Sequence, residues 1–184
     1  MKFLKLFIIF ICLSPSVKAD SKQNIINELK NGGKLIFIRH AYAPGSGDPS
    51  NFDISDCASQ RNLSNLGKIQ SKKIGLFFSK NNILIGKVYS SEWCRCKETA
   101  TIAFNNYEVK KSLNSFFGKK FTKNKDSQVA NLKKFIKNWD GKKNLVLITH
   151  YVVISEILNY GASSGEIVIS NKDLKVIDKF EIEY

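Results

Sequence analysis

The chain has 184 residues, 29 Lys plus Arg against 16 Asp plus Glu, 43% apolar residues and only three Pro. That length and apolar share predict one domain with a real core and exclude wholesale disorder. There is no Cys-dense framework and no solenoid repeat, and the one long apolar run lies at the extreme N-terminus, which excludes a polytopic membrane protein.

That run reads as a secretory signal over residues 1–19. Lys2 and Lys5 supply a positive start, Leu6 to Leu13 an apolar stretch, and Val17-Lys18-Ala19 small residues at the −3 and −1 positions of a cleavage site. The stretch is far below the roughly 20 apolar residues of a membrane span, so no stable membrane insertion is expected. Cys12 raises the question of a lipid anchor, but Ile11 is too bulky for the position before a lipidated Cys. The mature chain is expected to start at Asp20, to form a single domain over 20–184, and to be exported, most naturally to a periplasm. Removing Lys2, Lys5 and Lys18 lowers the formal charge from +13 to +10, still a field that attracts phosphates. The Lys residues, as in Lys72-Lys73 and Lys142-Lys143, are spread like solvated surface, and no nucleic-acid motif accompanies them, so no nucleic acid is expected as partner.

All but three of the 29 basic residues are Lys; the exceptions are Arg39, Arg61 and Arg95, and the only two His are His40 and His150. Arg grips phosphate with a planar fork that Lys cannot imitate, and His gains and loses a proton near neutral pH. The placement of these five residues therefore carries the functional question.

Ser21 to Asn31 sets Ile25, Ile26 and Leu29 at helical spacing and stops at Gly32-Gly33. Lys34 to Ile38 is a short apolar run, the pattern of a buried parallel strand, and runs straight into Arg39-His40. Ala41 to Asn62 reads as a long ordered loop, a feature usually tied to function. Ser64 is the expected N-cap of a helix through Lys80, with Ile69, Ile74, Leu76, Phe77 and Phe78 as its apolar side. Lys87 to Tyr89 follows as a strand, then Ser90-Ser91 and a helix through Phe104. Tyr107 to Lys111 is a third candidate strand, Ser112 to Lys125 a loop, and Val129 to Trp139 an amphipathic helix. Leu145 to Ile148 is a second fully apolar strand, running into Thr149-His150. A helix comes next, and Glu166 to Ser170 and Lys175 to Glu183 alternate like antiparallel or edge strands.

This alternation predicts an α/β protein, a three-layer α/β/α sandwich on a mostly parallel sheet, whose ligands bind at the carboxyl ends of the strands. Both His residues fall at such ends, with Arg95 just beyond a third.

Phe37-Ile38-Arg39-His40-Ala41, the block Tyr89-Ser90-Ser91 through Arg95 to Thr99-Ala100, the run Leu147-Ile148-Thr149-His150 and the segment Arg61 to Gly67 together resemble, in order and spacing, the histidine phosphatase superfamily with its phosphoglycerate-mutase-like fold. The resemblance implies that His40 is a nucleophile that takes a phosphoryl group, that Arg39, Arg95 and His150 clamp its oxygens, and that neither metal nor cofactor is called for. Arg61, Asn114 and Ser115 become candidate contacts to a small phosphorylated substrate. Phosphoglycerate mutases carry longer insertions over the site, so this short chain is expected to hydrolyse a phosphate monoester, such as a sugar or envelope-glycan phosphate. The alternative is a catalytically weak or inactive phosphate-ligand-binding protein of the same fold.

Two features depart from the family pattern. Ala41 replaces the usual Gly, and no carboxylate stands where the family places its general acid: the loop reads Leu113 to Gly118, and Tyr151 follows His150. Asp48, Asp56 and Glu92 are the candidate acids by segment, with preference for the Asp-containing loop after His40. Three Cys remain after cleavage. In an exported chain Cys57 is expected to pair with Cys94 or Cys96, only one of which can face it, because residues two apart on a helix diverge. A Cys-Cys-His metal site fits no common zinc spacing. Trp93 is equally a pocket-mouth or a core residue, and Arg61 an anion contact or a loop anchor to Asp53 or Asp56.

Overall fold

The computed structural model describes residues 17–184. The expected leader and Cys12 lie outside the described residues, except that Val17–Ala19 begin the first helix. Helix α1 is Val17–Lys30, and strand β1 is Leu35–Arg39. The loop after β1 holds one 3₁₀ turn, Cys57–Ser59, before α2, Asn65–Lys80. Then come β2 (Ile85–Ser90), α3 (Cys94–Phe104) and β3 (Glu108–Val109), followed by α4 (Lys119–Thr122), α5 (Lys125–Asn138) and β4 (Asn144–Thr149). The chain closes with α6 (Tyr151–Leu158), β5 (Ile167–Ser170) and β6 (Val176–Phe180).

The six strands form one sheet in the order β3-β2-β4-β1-β5-β6. β1 and β4, β2 and β4, and β2 and β3 pair parallel; β5 pairs antiparallel with β1 and β6 antiparallel with β5. Side chains alternate across the pleat and build a core on each face. Ile36 and Ile38 pack with Ile25 and Leu29 of α1, Ile74 and Phe78 of α2 and Ala100 of α3. Leu35 and Phe37 pack with Leu132 and Ile136 of α5 and Val153 and Ile154 of α6. Helices therefore cover both faces, and the molecule is an α/β/α sandwich. Because both of its faces are covered, β4 buries every residue, which is why it reads as a continuous apolar run. β6 at the sheet edge alternates instead.

Three local expectations shift. The third strand shrinks to Glu108–Val109, because Lys111–Leu113 winds into a 3₁₀ turn. The loop after it holds the short helix α4. On α2, Ile69 and Leu76 are exposed, while Gln70 and Ser71 are buried. The buried stripe includes Gly67, and at Gly67 and the half-buried Gly75 the backbone comes so close to its neighbours that an added Cβ would lie 2.1 Å from the Tyr42 carbonyl and 2.3 Å from that of Ala103. Gln70 is buried because it bridges three segments: its Oε1 accepts from the Tyr42 N–H at 2.9 Å, and its Nε2 donates to the Ser164 and Ile182 carbonyls at 2.9 and 2.8 Å. Among the described residues no helix is long and apolar enough to cross a membrane.

Candidate active site

The sheet register brings the two histidines together. Arg39 of β1 stands opposite Thr149 of β4, so the next residues, His40 and His150, leave adjacent strands side by side, with ring centroids 5.5 Å apart. The His40 N–H donates to the Thr149 carbonyl at 2.9 Å, and the Ser91 N–H to that of Ile148 at 3.0 Å, so all three strand ends are tied.

His40 is 2% exposed, and its Nδ1 lies 2.8 Å from the Ala41 carbonyl oxygen. A carbonyl only accepts, so Nδ1 carries the proton and Nε2 presents its lone pair. Arg95 Nε donates to that Nε2 at 3.2 Å. Burial, then the charge of Arg95, pushes the His40 pKa well below its ordinary value, so the ring is neutral at physiological pH. His150 is neutral for the same reasons, with its Nε2 2.9 Å from Ser91 Oγ and 3.5 Å from Cys96 Sγ. Ser91 Oγ spends its one proton on Asn114 Oδ1 and the Cys96 thiol has the Thr149 carbonyl as acceptor, so His150 Nε2 is the donor toward Ser91 and Nδ1 is left with a lone pair.

Arg95 lies in the first turn of α3 and is 3% exposed. Its Nη1 and Nη2 reach Asp48 Oδ1 and Oδ2 at 2.7 and 3.2 Å, a fork-to-carboxylate pair. Asp48 also accepts from Trp93 Nε1 at 3.0 Å and from the Arg61 N–H at 3.1 Å. Burial works to raise the Asp48 pKa, but the hydrogen bond and charge of Arg95, with Trp93, outweigh it and hold the carboxyl below its ordinary value. Asp48 is thus an ionised partner of Arg95, and in this arrangement it has no proton to give a leaving group.

Arg61 bonds neither Asp53 nor Asp56. Its Nε donates to the Gly47 carbonyl at 2.7 Å and its Nη1 to that of Ala43, which cinches the loop after β1. Burial, then repulsion from Arg95, lowers its pKa to about 10, so it stays charged at neutral pH. Arg39 donates from Nη1 to the Ala162 carbonyl at 2.9 Å, and its buried Nε has no partner among the described residues.

Arg39, His40, Asp48, Arg61, Arg95, Ser115 and His150 line one cavity of about 200 Å³, which Phe117 and Tyr151 also border. Three guanidinium groups, one carboxylate and two neutral rings leave an excess of two positive charges, the complement of a phosphate dianion. The other sequence candidates fall outside the cavity. Asn114 is spent on the turn after β2: its Oδ1 accepts from Ser91 Oγ at 3.1 Å and from the Glu92 N–H at 2.9 Å, and its Nδ2 donates to Glu92 Oε2. That bond also engages Glu92. Asp56 is exposed and caps the 3₁₀ turn through the Ala58 N–H. Trp93 is a core residue, 3% exposed and stacked on Phe52.

Cys57 and Cys94 form a disulfide that ties the long loop to the start of α3; among the described residues Cys96 is the free, buried cysteine. Burial pushes the Cys96 thiol up to about 12. Among the described residues no group of three His, Cys, Asp or Glu is placed to hold a metal ion. The sequence offered Cys96 only as an alternative disulfide partner of Cys57, which the Cys57–Cys94 bond rules out, and assigned no role to Ser91 or Thr99. Thr99 Oγ1 accepts from the Ala41 N–H at 3.1 Å and donates to the Arg95 carbonyl at 2.7 Å, bracing the residue after His40 against α3. Its position four residues after Arg95 was the one available signal.

No family model matches the sequence, and no curated protein matches it. Solved structures do. The protein histidine phosphatase SixA complexed with tungstate aligns at 14% identity and a TM-score of 0.56 over 80% of this chain and 96% of that one. Phosphoglycerate mutase from Thermus thermophilus aligns at 13% and 0.57, over 82% of this chain and 99% of the other. The chain has the histidine phosphatase, or phosphoglycerate-mutase-like, fold. A third structure of this fold, a phosphoserine phosphatase mutant from Entamoeba histolytica in complex with phosphoserine, aligns at 16% and 0.54, over 74% of this chain and 89% of the other.

Proposed function

We propose that the protein is an exported phosphatase that hydrolyses its substrate through a phosphohistidine at His40. The observation that carries this reading is the neutral, buried His40, whose Nδ1 proton is held by the Ala41 carbonyl while Nε2 faces Arg95 and the cavity. A phosphoryl dianion enters among Arg39, Arg61 and Arg95. Arg95 Nε gives up its hydrogen bond to Nε2 as the phosphoryl group arrives, and the freed lone pair forms a bond to phosphorus as the bond to the leaving atom breaks, the leaving group taking that bond's electron pair. Water then attacks the phosphohistidine, releasing phosphate and restoring His40. The guanidinium groups of Arg39, Arg61 and Arg95 line the cavity that takes the equatorial oxygens, where one good donor is typically worth about 10²–10³ in rate.

With Asp48 ionised and Asp56 and Glu92 outside the cavity, the lining holds no protonated carboxyl. The substrate this fits has a leaving group that departs without a strong acid, such as a phenol, or a nitrogen base in a phosphoramidate, rather than a sugar alcohol. The SixA neighbour, a protein histidine phosphatase, is in keeping with this choice. Export rests on the N-terminal signal and is in keeping with the Cys57–Cys94 disulfide, a bond of oxidising compartments.

The purified protein, in the presence of a chelator, is expected to release phosphate from an activated aryl phosphate or phosphoimidazole, and His40→Ala is expected to release none. The second reading, a phosphate-ligand binder, is favoured by a cavity lining whose one carboxyl, Asp48, is ionised and has no proton to give a leaving group. It would show as tight phosphate binding with no turnover of either compound.

A further inference from the structure

The cavity's floor and its rim differ in kind. His40, Arg95 and His150 on the floor are 2–3% exposed, whereas Phe117 and Tyr151, which line the same cavity, are 54% and 47% exposed. Large apolar rings held in water need a reason when they stand together at a cavity mouth.

Both rings lie over glycines. A Cβ on Gly161 would lie 3.1 Å from Tyr151 Cε2 and 3.2 Å from its hydroxyl oxygen, and one on Gly47 would lie 3.7 Å from Phe117 Cε1. At Gly161 a side chain would push the tyrosine ring from its place. Tyr151 is further held by Arg39, whose guanidinium carbon is 5.6 Å from the ring centroid. The Phe117 backbone is anchored by its N–H, which donates to Ser115 Oγ at 3.2 Å, and it follows the buried Phe116.

The cavity, at about 200 Å³, is below the roughly 300–1,000 Å³ of pockets that enclose a whole small ligand. It seats a phosphoryl group and leaves the remainder of the substrate at the mouth. In-line attack by His40 directs the leaving atom away from Nε2, outward from the floor toward the rim.

Resting on the phosphatase reading, we infer that the substrate's leaving group is a flat aromatic or heteroaromatic ring joined to phosphorus through one O or N atom, bound against Phe117 and Tyr151. The two rings offer faces and edges to a planar group, and the cation behind Tyr151 strengthens that side. A flat ring is also the kind of leaving group that needs least help from an acid.

The test uses stable phosphonates and the full chain. Dissociation constants of phenylphosphonate, cyclohexylphosphonate and methylphosphonate are measured by calorimetry for wild type, Phe117→Ala, Phe117→Leu and Tyr151→Ala. Wild type is expected to bind the phenyl compound about 10-fold more tightly than the methyl compound and also more tightly than the cyclohexyl compound. The phenyl-to-methyl ratio is expected to fall toward one in each variant; both sites being half exposed, folding is not at stake. Equal affinities for phenyl and methyl in wild type, or a ratio untouched by the variants, overturn the aromatic mouth and leave the phosphate site standing. No binding of any phosphonate overturns the phosphate site and the mouth with it.

Discussion

The floor and the walls of the cavity are held by different forces. The floor, His40 and His150, hangs from β1 and β4, whose register is set by rows of fully buried Ile, Leu, Val and Phe on both faces of the sheet. The walls, Asp48, Arg61 and Phe117, sit on loops that owe their shape to side-chain bonds to backbone, to the Asp48–Arg95 pair and to the Cys57–Cys94 disulfide. The floor therefore cannot be disturbed without unfolding the domain, while the walls can be loosened with the sheet intact. His40, the proposed nucleophile, belongs to the part that must not move, and the charges and rings proposed to meet the substrate belong to the part that can.

The largest expected break in this contrast comes from removing the disulfide, with Cys57→Ser and Cys94→Ser together. The bond closes a sequence separation of 37, and losing such a crosslink costs about 2–4 kcal/mol of stability. Chemical denaturation should show that loss. Phosphate affinity should fall as well, while far-UV circular dichroism below the transition keeps the sheet signal. Unchanged phosphate affinity would mean that the wall does not depend on the disulfide.

Asp48→Asn sharpens the account of Arg95. With Asp48 positioning Arg95, kcat/KM is expected to drop about 10–100-fold, roughly 1.4–2.8 kcal/mol, by the same factor for good and poor leaving groups. An acid role would give a loss that grows as the leaving group worsens. A linear free-energy plot over substituted phenyl phosphates decides between the two.

The floor has its own signature in the pH dependence of stability. His40 and His150 have pKa values well below the ordinary 6.5 when folded and about 6.5 when unfolded. Below pH 6.5 the unfolded chain therefore binds protons that the folded chain refuses. Their contribution is fully present above that pH and is lost as pH falls, by up to about 1.4 kcal/mol per unit for each histidine. Denaturant midpoints between pH 7.5 and 5 should show this slope, and His150→Gln should lower it. A flat profile would mean that the histidines are not buried neutral.

This division also separates what was legible in the sequence from what was not. A strand covered on both faces is a continuous apolar run, so β1 and β4 stand out, and Arg39-His40 and Thr149-His150 are found simply by reading to their ends. The Asp48–Arg95 pair joins residues 47 apart in the chain and obeys no local period; by sequence alone Asp48 ranked as an acid. Asn114 invited a substrate contact, because nothing local shows that its amide is consumed by Ser91 and Glu92, more than twenty positions earlier. On α2, apolarity found Ile74, Phe77 and Phe78 but also pointed to the exposed Ile69 and Leu76, and it missed Gln70, which is buried by three bonds that are all tertiary. Phe117 and Tyr151 gave no signal, since an exposed aromatic gains meaning only from the cavity beside it.

The central claim is the covalent step on His40. Purified protein mixed with phosphoimidazole or an activated aryl phosphate, quenched within milliseconds in base and analysed by mass spectrometry, tests it directly. The account expects one phosphoryl group per chain, acid-labile, on His40, and none in His40→Ala. Turnover without any trapped phosphoprotein, or a phosphoryl group on another residue, would contradict it.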